Sequence, residues 1–240
     1  PRLINVCGRT EHMLNNLFDL LFNDPDKCTR EFFQLLDDLS KTRTGDMNYR
    51  GFTLMNKSKT EIQRSIKNVT KKKPLAIVFS GMGCQWTGMG RELLKCEIFA
   101  KNINKLANTM KNFDIDLINL LTNEDSETLN TSTTSFVAIV AMQIVLVDFY
   151  RSVGIEPDYV VGHSLGEILC GYITDCLTAE QALLVAFYRG KAVEESILPA
   201  GGMAAVGLSW EEAQLKCPTG VFAACHNSQD SVTISGEVKA

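Results

Sequence analysis

The sequence predicts an α/β protein, and three observations carry that reading. From Pro74 onward, strand-like and helix-like stretches alternate, the order produced by a parallel sheet with crossover helices. The first of those strands, Leu75 to Phe79, is apolar throughout, as expected of a strand covered on both faces. The run Val160-Val161-Gly162-His163-Ser164-Leu165-Gly166-Glu167 then breaks from apolar residues into Gly-x-Ser-x-Gly before a helix-compatible stretch, the pattern of a tight strand-to-helix turn.

The elements follow in order. Leu3 to Val6 reads as a strand, and Thr10 caps a helix whose Leu14, Leu17, Phe18 and Leu21 recur at helical spacing. Glu31 to Leu39 repeats that pattern with Phe32, Leu35, Leu36 and Leu39. Gly51 to Met55 is a second strand, and Lys71-Lys72-Lys73-Pro74 marks a boundary, because proline lacks an amide hydrogen and restricts its neighbour. Residues 1–73 are thus expected to form a small separate unit, in which His12, on an amphipathic helix, is a solvated or half-buried residue. Beyond the Leu75 to Phe79 strand comes the loop Ser80-Gly81-Met82-Gly83-Cys84-Gln85-Trp86. Ser135 to Val153 is a long helix stopped by Gly154, Tyr159 to Val161 a strand, and Thr178 with Gln181 a capping box for a helix running to about Ile197. Met203 to Leu208, a short helix capped by Ser209 and Glu212, Val221 to Cys225 and Ser231 to Ser235 read as β-α-β-β. That is four of the six elements of a ferredoxin-like unit, so 74–199 and 200–240 are expected to be distinct parts.

Composition excludes several classes. With 240 residues, 45% of them hydrophobic, the chain can bury a full core, and a net charge of −4 argues against nucleic-acid binding. The longest apolar run, Phe136 to Val147, is interrupted by Gln143 and falls short of the roughly 20 residues of a bilayer span. Eight cysteines show no Cys-x-x-Cys and no zinc-like pairing with the three histidines, so reduced thiols in a cytoplasmic protein are expected, with no metal.

Ser164 is the candidate nucleophile, presented at the tip of the turn, where Gly162 and Gly166 lack β-carbons that would collide as strand and helix approach. A neutral hydroxyl is a weak nucleophile, so the motif needs a base and an oxyanion hole. The glycine loop at 81–83 is a candidate source of backbone amides, or a plain turn. Arg189 shares a helical face with Ala182, Val185, Ala186, Ala192 and Val193, so its guanidinium needs a carboxylate. Either it snorkels or pairs with Asp175 or Glu167, or it holds a substrate carboxylate.

Five spaced motifs then resemble one family: Gly81-Met82-Gly83-Cys84-Gln85-Trp86, Gly162-His163-Ser164-Leu165-Gly166-Glu167, Tyr188-Arg189-Gly190, the run from Gly202 to Glu212, and Ala224-Cys225-His226-Asn227-Ser228. Together they resemble the malonyl/acetyltransferase of animal type I fatty acid synthase, while Pro1-Arg2-Leu3 and Gly8-Arg9-Thr10 resemble the linker between that enzyme's ketosynthase and acyltransferase. Related polyketide synthase acyltransferases share the Ser164 motif. The resemblance implies an α/β-hydrolase-like parallel-sheet acyltransferase core, after a small α/β linker domain and before a truncated ferredoxin-like small subdomain. It implies that Ser164 takes malonyl or acetyl groups from malonyl-CoA or acetyl-CoA and passes them to the phosphopantetheine of an acyl carrier protein. No cofactor bound by the segment itself is implied. The amides of Leu165 and Met82 would form the oxyanion hole, Arg189 would hold the malonyl carboxylate, and Gln85, Gln143 and His163 would line or support the substrate site. The implied setting is a homodimeric multifunctional enzyme with a ketosynthase alongside.

The base is the missing part. The chain has only His12, His163 and His226. His163 adjoins the nucleophile, where neighbouring side chains diverge, and His226 follows Ser164, as hydrolase chain order allows, but sits in a different motif of the family. The resemblance implies instead a catalytic histidine in a later His-Ser motif, which would lie beyond Ala240. The expectation is therefore a piece of a longer polypeptide, weakly active or inactive by itself. A serine esterase would share Gly-x-Ser-x-Gly but needs an acid and a histidine in that order, with His-Gly-Gly-type oxyanion signals that this sequence lacks. A non-catalytic docking segment is the other alternative.

Overall fold

The computed structural model describes residues 1–42, 45–71, 73–197 and 199–238. Lys72 of the basic boundary and residues 239 and 240 at the expected truncation point lie outside the described residues. The chain forms two compact units, Pro1–Pro74 and Leu75–Ala240.

In the first unit, β1 (Arg2–Gly8), β2 (Tyr49–Met55) and β3 (Glu61–Asn68) form an antiparallel sheet in that order, with Ile4 opposite Thr53 and Phe52 opposite Ser65. Helices α1 (Glu11–Asn23) and α2 (Arg30–Ser40) begin where the sequence provides caps: Thr10 Oγ1 accepts from Met13 N and Thr29 Oγ1 from Phe32 N, each at 3.2 Å. Ile4, Phe18, Leu21, Cys28, Leu36 and Met55 close the core. Strand β3 has no counterpart in the sequence reading, because only Ile62 and Ile66 are apolar in it and four-residue spacing does not look like a strand. It is held by the hairpin ladder and by Arg64, which pairs with Asp19 at 2.8 Å and Glu61 at 2.6 Å and lies over the Phe18 ring. On α2 the apolar face was drawn too wide: Leu36 is buried, whereas Leu35 and Leu39 are exposed.

The second unit is built around α5 (Ser132–Ser152). Before it come β4 (Ala76–Phe79), α3 (Glu97–Met110) and α4 (Leu117–Thr122). After it come β5 (Tyr159–Gly162), α6 (Glu167–Ile173), α7 (Ala179–Glu195), β6 (Gly201–Val206), α8 (Trp210–Lys216), β7 (Val221–Ser228) and β8 (Ser231–Glu237). Helices α3 and α4 have no counterpart among the elements expected from sequence, although Phe99, Ile103, Leu106 and Met110 of α3 repeat at helical spacing and are buried. Thr131 caps α5, and Gly154, at φ +76°, turns the chain just beyond its end. By length and composition α5 is the one described helix that could cross a membrane; 67% of its most apolar stretch is buried, packed among α3, α4, α6 and α7.

Two details fix α7 against α5. A β-carbon on Gly190 would lie 2.8 Å from Thr133 N, so the Tyr188-Arg189-Gly190 glycine is required by helix contact. One turn on, Glu194 Oε1 accepts the Thr133 amide hydrogen at 2.6 Å, capping the first turn of α5; this hydrogen bond lowers the Glu194 carboxyl from its ordinary range. Toward the other end of α5, the Tyr172 hydroxyl donates to Asp148 Oδ1 and Asn102 Nδ2 donates to Asp148 Oδ2 at 3.1 Å. Burial first, and that carboxylate second, push the Tyr172 phenol well above its ordinary range.

Strands β4 and β5 run parallel, Ala76 opposite Tyr159 and Phe79 opposite Gly162. The expectation of a strand covered on both faces is corrected here. Ile77 and Phe79 pack on the helices, but Val78 is 67% and Val161 55% exposed, because the helices cover only one face of this two-stranded sheet. Strands β6, β8 and β7 form an antiparallel sheet in that spatial order, with α8 between the first and second in sequence. Both helices expected to carry capping boxes have them: Thr178 with Gln181 on α7 and Ser209 with Glu212 on α8.

Candidate active site

Strand β5 ends at Gly162 and the chain turns through Ser164–Gly166 into α6. Ser164 is exposed and sits at φ +52°, a left-handed conformation that non-glycine residues seldom occupy. The surroundings enforce it. The His163 amide donates to Phe79 O and the Gly166 amide to His163 O, each at 2.9 Å. A β-carbon on Gly162 would lie 2.5 Å from Glu167 N, and one on Gly166 would overlap the Phe79 carbonyl. The turn therefore requires glycine on both sides of the serine, for the steric reason the sequence suggested.

The loop after β4 lies against this turn. A β-carbon built on Gly81 would be 2.7 Å from His163 O and 3.1 Å from Ser164 Cβ, so the 81–83 segment abuts the serine. Gly83 N donates to Gln85 Oε1 at 2.8 Å, Gln85 Nε2 reaches Ser135 Oγ at 3.4 Å, and Gln143 Nε2 donates to Ser80 O at 2.8 Å. These contacts put Gln85 and Gln143 on the loop's own backbone, as braces. Among the described residues, no protein acceptor takes the amide hydrogens of Met82 or Leu165. One exposed hydroxyl beside two unspent backbone donors is an arrangement suited to attack on a carbonyl and stabilisation of the oxyanion formed.

Among the described residues, no hydrogen bond engages Ser164 Oγ. The three histidines are placed elsewhere. His12 contacts Asn16 Nδ2 within α1, and His226 on β7 stacks near Trp210 with ring centroids 5.6 Å apart. His163 Nε2 lies 3.2 Å from Asn227 Oδ1, and Asn227 Nδ2 donates to Thr233 Oγ1 at 3.0 Å. Asn227 entered the sequence reading only as part of a motif and Thr233 not at all, because a contact between strands leaves no local signal.

Arg189 is an exposed residue of α7, its guanidinium carbon 6.0 Å from the Phe136 ring centroid. The buried stripe expected around it is corrected: Val185 and Val193 on the same face are exposed as well. Neither Asp175 nor Glu167 neutralises it. Asp175 pairs with Arg151 at 3.4 Å, and among the described residues no carboxylate pairs with Arg189.

Residues 76–240 match the family model described as the acyl transferase domain. The chain is 36% identical, over 98% of its length, to a highly reducing polyketide synthase of Glarea lozoyensis, and 35% identical over its whole length to one of Aspergillus fumigatus. It spans only 8% and 10% of those two proteins. Among solved structures, it is 30% identical to the acyltransferase domain of the polyketide synthase PpsC of Mycobacterium tuberculosis, with a TM-score of 0.60 over 68% of this chain and 50% of that one. It is 27% identical to the malonyl CoA-acyl carrier protein transacylase of Coxiella burnetii, with a TM-score of 0.62 over 69% of this chain and 55% of that one. These relatives are polyketide synthases and a transacylase, so the animal fatty acid synthase suggested by the motifs is narrower than the match supports. The α/β core carrying Ser164 between its glycine loop and its helix belongs to the acyltransferase family found in multidomain enzymes of the polyketide synthase and fatty acid synthase type.

Proposed function

We propose that Ser164 is the nucleophile of a ping-pong transferase that moves malonyl or acetyl groups from coenzyme A to the phosphopantetheine thiol of an acyl carrier protein, within a larger fatty acid synthase-like enzyme. The observation that carries this reading is the strained, exposed Ser164 flanked by the unspent amides of Leu165 and Met82. In the first half-reaction the hydroxyl oxygen attacks the thioester carbonyl, its proton passes to a base, and coenzyme A leaves as the thiol. In the second, the carrier thiol attacks the acyl-serine ester and Ser164 recovers its proton. Leu165 N–H and Met82 N–H would hold the oxyanion in both; removing one such donor typically costs about 10²–10³ in rate. The base lies outside the described residues on this reading, since no histidine engages Ser164 and the chain covers 50–55% of the two solved acyltransferases above. Arg189, which pairs with no carboxylate among the described residues, is assigned to the malonyl carboxylate. A neighbouring ketosynthase, a homodimeric parent and a cytoplasmic setting belong to the same proposal; eight unbridged cysteines support the last.

The test is acylation. In a chain extended to a full acyltransferase fold, brief exposure to malonyl-CoA is expected to add one malonyl mass, located at Ser164 by peptide mass spectrometry and absent in Ser164→Ala. Label at another residue, or hydrolysis of a nitrophenyl ester with no transfer to carrier protein, would replace this reading with that of an esterase. A polyketide synthase acyltransferase is the second reading, favoured by the relatives.

A further inference from the structure

The β6–β8–β7 sheet and the helical part of the second unit share little chemistry. Among the described residues, the contact between His163 Nε2 and Asn227 Oδ1 is the only hydrogen bond, ion pair or ring contact joining residues 75–197 to residues 199–238. It starts at the residue before the nucleophile. His163's own backbone is fixed on both sides, its amide to Phe79 O and its carbonyl from Gly166 N, so the imidazole is a short arm on a rigid base. At the far end the amide of Asn227 is oriented: Nδ2 donates to Thr233 Oγ1 on β8, which leaves Oδ1 facing the ring as an acceptor.

From this geometry we infer that Asn227 is a positioning residue: through its hydrogen bond to His163 it sets how closely the β6–β8–β7 sheet stands over Ser164, and so the width of the slot that receives the acyl group. The inference rests on the acyl-transfer reading above. With Oδ1 turned toward the ring, the Asn227 carbonyl accepts from the His163 Nε2–H. Both side chains are exposed, so water competes for the bond, and a single net hydrogen bond of this kind changes a rate ratio by about three- to tenfold rather than by orders of magnitude. A weak tie still matters here, because among the described residues no second polar contact duplicates it.

Two measurements on the extended enzyme test the inference. In imidazole-¹⁵N-labelled protein, a His163 Nε2–H resonance protected from water exchange is expected in the wild type and in Asn227→Asp, which keeps an acceptor oxygen, and lost in Asn227→Ala. In competition between malonyl-CoA and octanoyl-CoA, Asn227→Ala is expected to lower the preference for malonyl about three- to tenfold, by loss of the one bond. His163→Ala/Asn227→Ala is expected to be no worse than either single variant, as for two ends of one contact. A protected resonance surviving in Asn227→Ala, or additive losses in the double variant, would overturn the assignment. The resonance does not depend on turnover, so a failure of acyl transfer in the wild type would count against the proposed function alone.

Discussion

Gly166→Ala is expected to be the most damaging single methyl group that can be added to this fold. The new carbon would overlap the Phe79 carbonyl oxygen and lie 2.7 Å from the Phe79 carbonyl carbon. No side chain can rotate away to make room, since the obstruction is backbone of the strand paired to β5. Strand β4 must separate from the turn, and overpacking of this kind costs about 3 kcal/mol, or roughly 10 °C in melting temperature for a unit of this size. Function should fall further than stability. The same displacement moves Ser164 relative to the 81–83 loop that abuts it, and a shift of about 1 Å between reacting groups costs on the order of 10²-fold in rate. Gly207→Ala is the control, with nothing within 4 Å of its added carbon. Thermal melts and single-turnover acylation check both; a Gly166→Ala enzyme that melts and loads like wild type would mean the turn is not held as tightly as described.

Arg189→Ala is expected to separate two substrates that otherwise react alike. On the proposed function, malonyl and acetyl thioesters share the carbonyl that Ser164 would attack and differ by one carboxylate. A charge-assisted hydrogen bond to such a group is worth about 1.5–3 kcal/mol, which corresponds to a loss of roughly 10- to 100-fold in kcat/KM for malonyl-CoA with little change for acetyl-CoA. The motive is the absence, among the described residues, of any carboxylate paired with this arginine. Its exposure puts the loss nearer the lower end, because water screens the pair. Arg189→Lys keeps the charge and loses the two-pronged geometry, so it should recover part of the malonyl activity. Equal losses for both acyl groups would remove Arg189 from the carboxylate role and leave it as a surface residue packed near Phe136.

The parts of the fold that were legible in the sequence are those where local chemistry decides. Thr10, Thr178 and Ser209 each cap the helix they were expected to cap, and Gly162 and Gly166 flank the turn for the expected steric reason. Strand β3 was not legible, because what holds it is Arg64 reaching back to Asp19, 45 residues away. The covering of β4 was misjudged for a related reason: an apolar sequence states what a strand tolerates, not what the rest of the molecule places on it. At the site, the serine and the glycine loop announce themselves by spacing, whereas the bracing of Gly83 by Gln85 and the contact of His163 with Asn227 exist only once the chain has folded.

The left-handed backbone at Ser164 carries a cost that selection has not removed. An L-residue held there gives up about 1–2 kcal/mol, and glycine would recover most of it while losing roughly 0.5–1 kcal/mol to the greater freedom of the unfolded chain. Ser164→Gly should therefore melt no lower than the wild type, and up to a few degrees higher, as an entirely inert protein. Ser164→Ala keeps the β-carbon and should gain nothing. A screen for thermal robustness alone would thus favour erasing this hydroxyl, and on the proposed function its presence sets turnover above durability at this one position.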